Sequence, residues 1–345
     1  MAEISKVSSP GSGVPVTIDT GDAISITATV RDLEVLEATA VFPAQNLVNQ
    51  KQDTRYFMGG PEITYMEVAQ GFVTIFVVNT IQEAMVINYN IPGALSPSGD
   101  PIAIETTVPA APAGGSVVID ETFDIAGYTI DYRGSDGLQT NTFYNEFTAR
   151  IDSSGNVVHI SLEDSLQVIY GIVDVIPKEV RGYAGQDTLD FSNEVVNFDI
   201  FEKVVGGTLD LESVTMDMTI YNEFGIEGKV VVDRIQATNP FTGNQLDFDA
   251  PTIIGPELSM VRALDNPFSP GITKFHLDDG NSNIEDILGL FPHQMRVDAE
   301  AIVNPNGNAF NYQDFLHDDS RLRVSLDVEM PLSFIANDLT LADTM

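Results

Sequence analysis

The sequence predicts an all-β protein, built mainly of antiparallel, sandwich-like domains with one or two short helices. Apolar and polar residues alternate along 214–220 and again along 321–330, which is the period of a strand with one buried and one wet face. Turn-forming residues separate such runs, as at 152–156 and 304–308. Because this pattern recurs from end to end, we expect several sheets of neighbouring strands.

The most hydrophobic run, 71–78, has the length of a strand. From Phe72 to Val78 it is apolar on both faces, which is typical of a strand buried between two layers or beneath a helix. No apolar stretch approaches the roughly 20 residues of a membrane-spanning helix. We therefore expect no transmembrane segment.

One segment has the features of a helix. Ser282 followed by Glu285 forms a capping-box pattern, and Pro292 ends the segment. Between them, four apolar residues fall on one helical face: Ile284, Ile287, Leu288 and Phe291. We predict a short amphipathic helix over 282–291 that packs on a sheet.

The length of 345 residues favours two or three domains. The stretch from Leu95 to Ser116, rich in Pro, Ala, Gly and Ser, is either a linker or a long edge excursion within one domain. A weaker boundary lies near 251–256. The predicted domains are an N-terminal β domain (1–115), a central β-sandwich (116–255) and a C-terminal β domain (256–345).

Two strand units share a pattern that ends in asparagine. QGFVTIFVVN ends at Asn79 and SVTMDMTIYN ends at Asn222, and a second apolar strand follows each of them. Asn suits such turns because it tolerates left-handed backbone and bonds its own backbone. We expect hairpins here, and also between RLRVSLDVE and SFIANDLTL near the C-terminus. True duplication and convergence explain the similarity equally well.

Charge and cysteine content exclude several functions. The chain has 51 acidic and 16 basic residues, a formal net charge of −35, which argues against binding to nucleic acid or to anionic membrane surfaces. Without cysteine there are no disulfides, thiolate metal sites or cysteine nucleophiles. The acidity is typical of a solvated surface, with binding of a divalent cation as the alternative.

No catalytic motif is present. The sequence has neither a phosphate-binding glycine loop nor a nucleophile elbow, and none of the four histidines has a second histidine at zinc-binding spacing. A carboxylate pair for glycoside hydrolysis leaves no sequence spacing, but carbohydrate sites usually offer tryptophan, which this chain lacks. We therefore expect a protein that is not an enzyme and needs no cofactor, with an enzyme as the least favoured alternative.

Two kinds of binding site have candidate residues. The acidic loop after His276 offers oxygen ligands for calcium at Asp278, Asp279, Asn281 and Asn283, outside the EF-hand pattern. An apolar cavity between sheets is the second kind, because adaptable Met and Phe side chains recur: Phe72, Phe76, Met85, Met216, Met218 and Met260. Ordinary sandwich core is the favoured interpretation of these six residues, with the cavity as the alternative.

The strand–Asn–turn–strand units resemble the late-embryogenesis-abundant/WHy type of β-sandwich repeat, through Tyr221-Asn222-Glu223-Phe224-Gly225-Ile226. More broadly, the segments 181–191, 197–226, 281–307 and 318–334 resemble secreted or outer-membrane-associated β-rich proteins of the Bacteroidota. The resemblance covers the latter half well and the first hundred residues loosely. It implies an envelope or surface location and a lipid-binding-like β scaffold, and it implies no reaction.

These observations together predict a non-catalytic cell-envelope or surface protein that docks to another protein, for instance as an accessory subunit of an outer-membrane or secretion complex. The alternative is a carrier of lipid or another apolar ligand in a β-lined cavity. We expect a periplasmic, outer-membrane-associated or extracellular location, with the export signal removed from this chain. At the C-terminal end, the pattern predicts a further strand, supplied by a longer chain or from elsewhere.

Overall fold

A computed structural model of the protein describes residues 36–197, 201–330 and 334–342. It confirms the all-β, antiparallel, sandwich-like fold class. The described apolar residues form two core clusters, one in each half of the chain. We call the two halves the N-terminal and the C-terminal sandwich.

Among the described residues, the first half has ten strands: β1 Glu37–Val41, β2 Gln45–Arg55, β3 Glu62–Asn79, β4 Met85–Leu95, β5 Pro101–Val108, β6 Val117–Asp124, β7 Thr129–Asp131, β8 Thr142–Ile151, β9 Val157–Ser161 and β10 Leu166–Tyr183. The strand β3 pairs with β10 along one side and with β6 and β7 along the other. The strand β4 pairs with β5, β7 and β8, and β8 also pairs with β2. Because β7 bonds to both β3 and β4, it joins the two sets of strands, while β1 and β9 form a separate pair.

Where the structure describes it, the second half contains eleven strands and one helix: β11 Asp187–Asn197, β12 Val204–Leu211, β13 Thr215–Asn222, β14 Gly228–Thr238, β15 Gln245–Asp247, β16 Glu257–Met260, β17 Gly271–Leu277, α1 Ile284–Gly289, β18 Gln294–Val303, β19 Asp314–His317, β20 Leu322–Glu329 and β21 Phe334–Leu341. One sheet has the order β11-β18-β14-β15, with β16 also on β14. A second sheet has the order β17-β13-β20, and β12 pairs with β21. The strand β19 pairs with β10 and so links the two halves.

The predicted helix exists, but it is shorter than 282–291 and begins differently. It spans Ile284–Gly289 and its N-cap is Asn283, whose side chain makes no capping hydrogen bond. The hydroxyl of Ser282 instead donates to the carbonyl of Asp278 at 2.9 Å, so the capping box does not form. Three of the four predicted apolar side chains are buried on the helix, and the fourth, Phe291, is buried just after it.

The Asn-closed turns exist, but the predicted hairpins do not. Asn79 and Asn222 end β3 and β13, and the side-chain oxygen of each accepts a backbone N–H two residues further on. However, β3 does not pair with β4, β13 does not pair with β14, and β20 does not pair with β21. At these turns the chain passes from one set of paired strands to another. Both asparagine side chains are almost fully buried, and they form hydrogen bonds with neighbouring backbone groups that would otherwise be unpaired.

Strand pairing crosses both predicted domain boundaries. Across 115/116, β6 pairs with β3 and β8 pairs with β4. Across 255/256, β14 pairs with β18 and β13 pairs with β20. The linker-like stretch 95–116 contains β5, which belongs to the N-terminal sandwich. These boundaries therefore do not separate sheets.

Candidate functional site

The sequence predicts that both faces of the segment 72–78, which lies in β3, are buried. In the structure only its inner face is fully buried. The inner residues Val73, Ile75 and Val77 of β3 are fully buried. On the outer face, described residues leave Phe76 36% exposed, and Ile169 beside it on β10 is 69% exposed. The prediction of burial between layers is therefore wrong for this outer face.

This outer face carries apolar side chains from three neighbouring strands, in two groups that the row Thr122, Thr74 and Gly171 separates. The pairing places Val118, Val78 and Gln167 in one row, and Asp120, Phe76 and Ile169 in the next row on the same face. We call the following residues the outer apolar patch: Phe72, Phe76, Val78, Val118, Ile169 and Val173.

The rim of the outer apolar patch is open and acidic. Asp120 and Asp124 of β6 lie beside Phe76 and Phe72. At Gly171, between Ile169 and Val173, an added Cβ would meet no atom within 4 Å. Among the described residues, the edge of β10 that points away from β3 pairs only over 179–182. Beside the patch, this edge is therefore unpaired.

A second candidate is an apolar cavity of about 100 Å³ in the C-terminal sandwich. It lies between the β13 and β14 sheets and α1. Of the six residues predicted for such a cavity, Met216 and Met218 line it, and Met295 joins them. Met85 and Met260 are instead buried in the two cores, and Phe72 and Phe76 lie on the outer apolar patch. The sequence therefore predicted part of the lining.

The predicted calcium ligands are close in sequence, but the side chains of Asn281 and Asn283 already form hydrogen bonds with the backbone. Oδ1 of Asn281 accepts the N–H of Asp278 at 3.1 Å, and its Nδ2 donates to the carbonyl of His276. The side chain of Asn283 bonds in the same way to the backbone of Asp249 and Asp247.

The two aspartates of that loop differ. Oδ1 of Asp278 accepts the N–H of Gly280 at 2.9 Å, whereas Asp279 is exposed. Within the described ranges, no group of three or more His, Cys, Asp or Glu side chains has the arrangement of a metal site. Calcium binding at Asp278, Asp279, Asn281 and Asn283 stays a prediction, in competition with these hydrogen bonds.

His276 and Glu285 are the titratable groups near this loop whose pKa departs from the ordinary value. A hydrogen bond of 2.7 Å from the His276 ring to Asp217, across β17 and β13, raises the pKa of the imidazole. Burial, with Asp279 and Asp286 nearby, raises the pKa of Glu285. Each group has a local structural cause, and neither forms an acid–base pair with the other in the described contacts.

Charged side chains also join the two sandwiches. Arg181 at the end of β10 forms a two-point ion pair with Asp265, and its third nitrogen contacts Glu179. Nearby, Arg262 lies over the ring of Phe310 at 4.0 Å and donates to the carbonyls of Gly225 and Gln313. Because carboxylates and carbonyls already occupy both guanidinium groups, this junction is structural.

Comparison with known proteins adds little. No protein-family model matches the chain, so none supports the late-embryogenesis-abundant/WHy resemblance, and no curated protein matches either. Among solved structures, a "putative secreted protein" from Parabacteroides distasonis, a member of the Bacteroidota, is similar over 86% of this chain and 85% of that chain. The identity is 9% and the TM-score 0.21, and at that score the likeness carries no argument.

In the parts of the chain that the structure describes, no helix has the length and apolar character needed to cross a membrane.

Proposed function

We propose that the protein is a non-catalytic component of a bacterial cell envelope or surface, and that it acts by docking to another protein through the outer apolar patch. The main support for this proposal is that the apolar side chains of the patch are exposed in a chain whose net charge is −35. An exposed group of apolar side chains with a polar rim is typical of a protein–protein contact. An accessory role in an outer-membrane or secretion complex is the form of docking that we favour.

The chemistry of the patch defines its partner. The partner surface must be apolar at its centre to cover Phe76 and Ile169, and basic at its edge to face Asp120 and Asp124. A partner of this kind associates faster at low salt, because exposed charges attract over a Debye length of about 8 Å at physiological ionic strength.

Site-specific photo-crosslinking in cells of the source bacterium tests this proposal. A crosslinking amino acid at Ile169 is expected to give one discrete adduct in the envelope fraction. Gly171→Lys adds a positive charge within the patch, where the backbone leaves room for it, and should abolish the adduct. The matched control is the same crosslinker at Leu138, which is 86% exposed and lies outside the patch.

Three results would contradict docking. The first is equal crosslinking from positions 169 and 138, and the second is recovery of the protein in the cytosol. The third is a crosslink from position 169 to residues 1–35 of the same chain, which mass spectrometry would detect as an internal adduct.

The second candidate function is a carrier for an apolar ligand, and the Met-lined cavity supports it. Its volume of about 100 Å³ lies below the roughly 150 Å³ of an engineered cavity that holds benzene. We therefore favour a compact apolar ligand over a lipid acyl chain. Native mass spectrometry tests this: a co-purified small apolar molecule that is lost in Ala237→Leu, which fills the cavity, would support the carrier.

A further inference from the structure

The strand β20 is an edge strand whose core-facing side is only partly covered. It pairs with β13 on one side, and no described strand or backbone hydrogen bond occupies its other side. On the core-facing side of β20, Leu322, Val324 and Leu326 are 51%, 52% and 43% exposed. On the adjacent β13, Ile220 faces the same side and is only 9% exposed. The uncovered area is therefore specific to the edge.

The opposite face of this segment has charged side chains without ion-pair partners. Arg321 and Arg323 precede the strand centre, and Asp327 and Glu329 follow it. Within the described ranges none of the four makes a salt bridge, although Arg323 lies over the ring of Tyr221 at 4.4 Å. Asp327 lies directly opposite Asp217 of β13, an unfavourable pairing of like charges.

The order of these residues makes the strand complementary to itself. In an antiparallel pair with a second copy centred on Ser325, Arg321 faces Glu329 and Arg323 faces Asp327. On the core-facing side of the same pair, Leu322 faces Val328 and Val324 faces Leu326. Each pair joins residues of equal parity, so side chains on one face meet side chains on the same face, as an antiparallel ladder requires.

We propose that β20 is a self-association site, at which two copies of this chain pair antiparallel about Ser325. The contact is isologous, as in most homodimers, so each opposite-charge pair occurs twice. It joins two three-stranded sheets into one continuous sheet and satisfies the edge backbone groups of both copies. A second copy fits better than an unrelated strand, because the charge order of β20 matches its own reverse.

The contact also covers the apolar cavity. Leu326 lines that cavity and is the half-exposed member of its wall. In the dimer, Val324 of the second copy packs against Leu326 and removes it from water. This surface lies in the C-terminal sandwich, whereas the outer apolar patch lies in the N-terminal sandwich, so self-association is independent of the proposed docking.

The net charge of −35 opposes association of two copies, and it defines the condition of the test. At about 0.15 M salt, charges more than about 8 Å apart are largely screened, while the pairs within the contact lie closer than that. Sedimentation equilibrium of the full chain at this salt concentration should show a dimer, with twice the monomer mass of 37.4 kDa. A wild-type protein that stays monomeric up to high micromolar concentration would overturn the proposal.

Val324→Lys should make the protein monomeric, because it places a lysine against Leu326 of the second copy. Its matched control is Ile272→Lys on β17, the other edge strand of the same sheet, where the replaced side chain is 46% exposed. This control should remain dimeric. Dissociation by both variants, or by neither, would show that the contact does not lie at β20.

Exchanging the charges at positions 323 and 327 tests whether association depends on specific pairing of β20 or on nonspecific apolar contact. Arg323→Asp leaves acids facing acids, and Asp327→Arg leaves arginines facing arginines, so each variant alone should weaken the dimer at least about tenfold. Mixing the two variants should restore association as a heterodimer, with opposite charges again facing each other. If the mixture associates no better than the separate variants, then the register about Ser325 is wrong.

Discussion

The two sandwiches of this protein are built from the same alternating strands, but they bury their cores to different extents. In the N-terminal sandwich, Ile75 and Ile87 are completely buried. In the C-terminal sandwich, Leu277 is equally buried, but the core residues Met216, Ile220 and Val232 each keep 9% of their surface exposed. We attribute the difference to how each half uses the strands at its edges.

The N-terminal sandwich joins its two sets of strands within one chain, although β10 keeps an unpaired edge beside the outer apolar patch. Its short strand β7 bonds to both β3 and β4 and so ties the two layers together. The C-terminal sandwich has separate sheets, and the edge strands β11 and β20 both have half-exposed apolar residues, such as Phe191 and Val324. Sequence alternation thus builds both a sandwich that the shared strand β7 closes and an open sandwich with separate sheets. The open one has the features of a unit completed by association.

The largest expected effect tests this difference directly. Ile75→Ala should lower the free energy of unfolding by about 3–4 kcal/mol, because it leaves a cavity in a closed core. Leu326→Ala should cost about 1 kcal/mol in the monomer, because 43% of that residue is already in water. Urea denaturation at low protein concentration measures both, and equal costs would mean that the two cores are equally closed.

Alternation predicted the strands well, because it records which residues face the core. It did not predict strand partners: Asn79 and Asn222 were recognised as turn residues, but the strands around them pair elsewhere. A turn residue fixes local backbone, whereas pairing depends on distant strands such as β10, which binds β3.

The candidate sites were less predictable for a similar reason. For Met216 and Met218 the sequence favours ordinary core over a cavity lining, and the structure places both on a cavity wall. The exposure of Phe76 was not predicted, because an apolar residue has the same sequence signature whether its face is covered or open. The charge order around Ser325 is visible in the sequence, but it gains meaning only once β20 is known to be an edge.

Asn79 and Asn222 each end a strand and lie at a turn, one in each sandwich. The side chain of Asn79 donates to the carbonyls of Ile81, Glu83 and Pro109 and accepts from the N–H of Ile81. Asn79→Ala leaves these groups unpaired and should cost about 3 kcal/mol.

The matching change in the C-terminal sandwich, Asn222→Ala, should cost about 2 kcal/mol, because the side chain of Asn222 has fewer hydrogen bonds among the described residues, to Val261 and Phe224. Asn156→Ala, at an exposed turn position, is the control and should change stability by less than about 0.5 kcal/mol. Chemical denaturation measures all three, and a cost for either buried asparagine no larger than that of the control would refute the role of these side chains.

A smaller effect concerns the junction between the sandwiches. The Arg181–Asp265 pair has two hydrogen bonds but is 37% exposed on both sides, so a double-mutant cycle to alanine should give a coupling energy of about 1 kcal/mol. The Arg133–Asp131 pair, within the N-terminal sandwich, is the control. If the junction couples the sandwiches, then Asp265→Ala should separate their thermal transitions and Asp131→Ala should not.

Calcium is expected to have a smaller effect still. Because the amides of Asn281 and Asn283 are held by the backbone, we expect the melting temperature to differ by less than about 1 °C between EDTA and millimolar calcium. Asn283→Ala should lower stability equally under both conditions. A calcium-dependent rise in melting temperature that Asp279→Asn removes would instead support the sequence-based metal prediction.

The smallest effect is a titration within the open sandwich. The hydrogen bond to Asp217 raises the pKa of His276 above its ordinary value of 6.5. The associated stabilisation is therefore present below about pH 6.5 and is lost as the pH rises through the folded-state pKa. In an NMR titration, Asp217→Asn should lower the pKa of His276 more than Asp278→Asn does, because Asp278 lies 3.8 Å from the ring without a hydrogen bond. An equal change in both variants would mean that general acidity of the sheet, rather than the β17–β13 contact, controls this histidine.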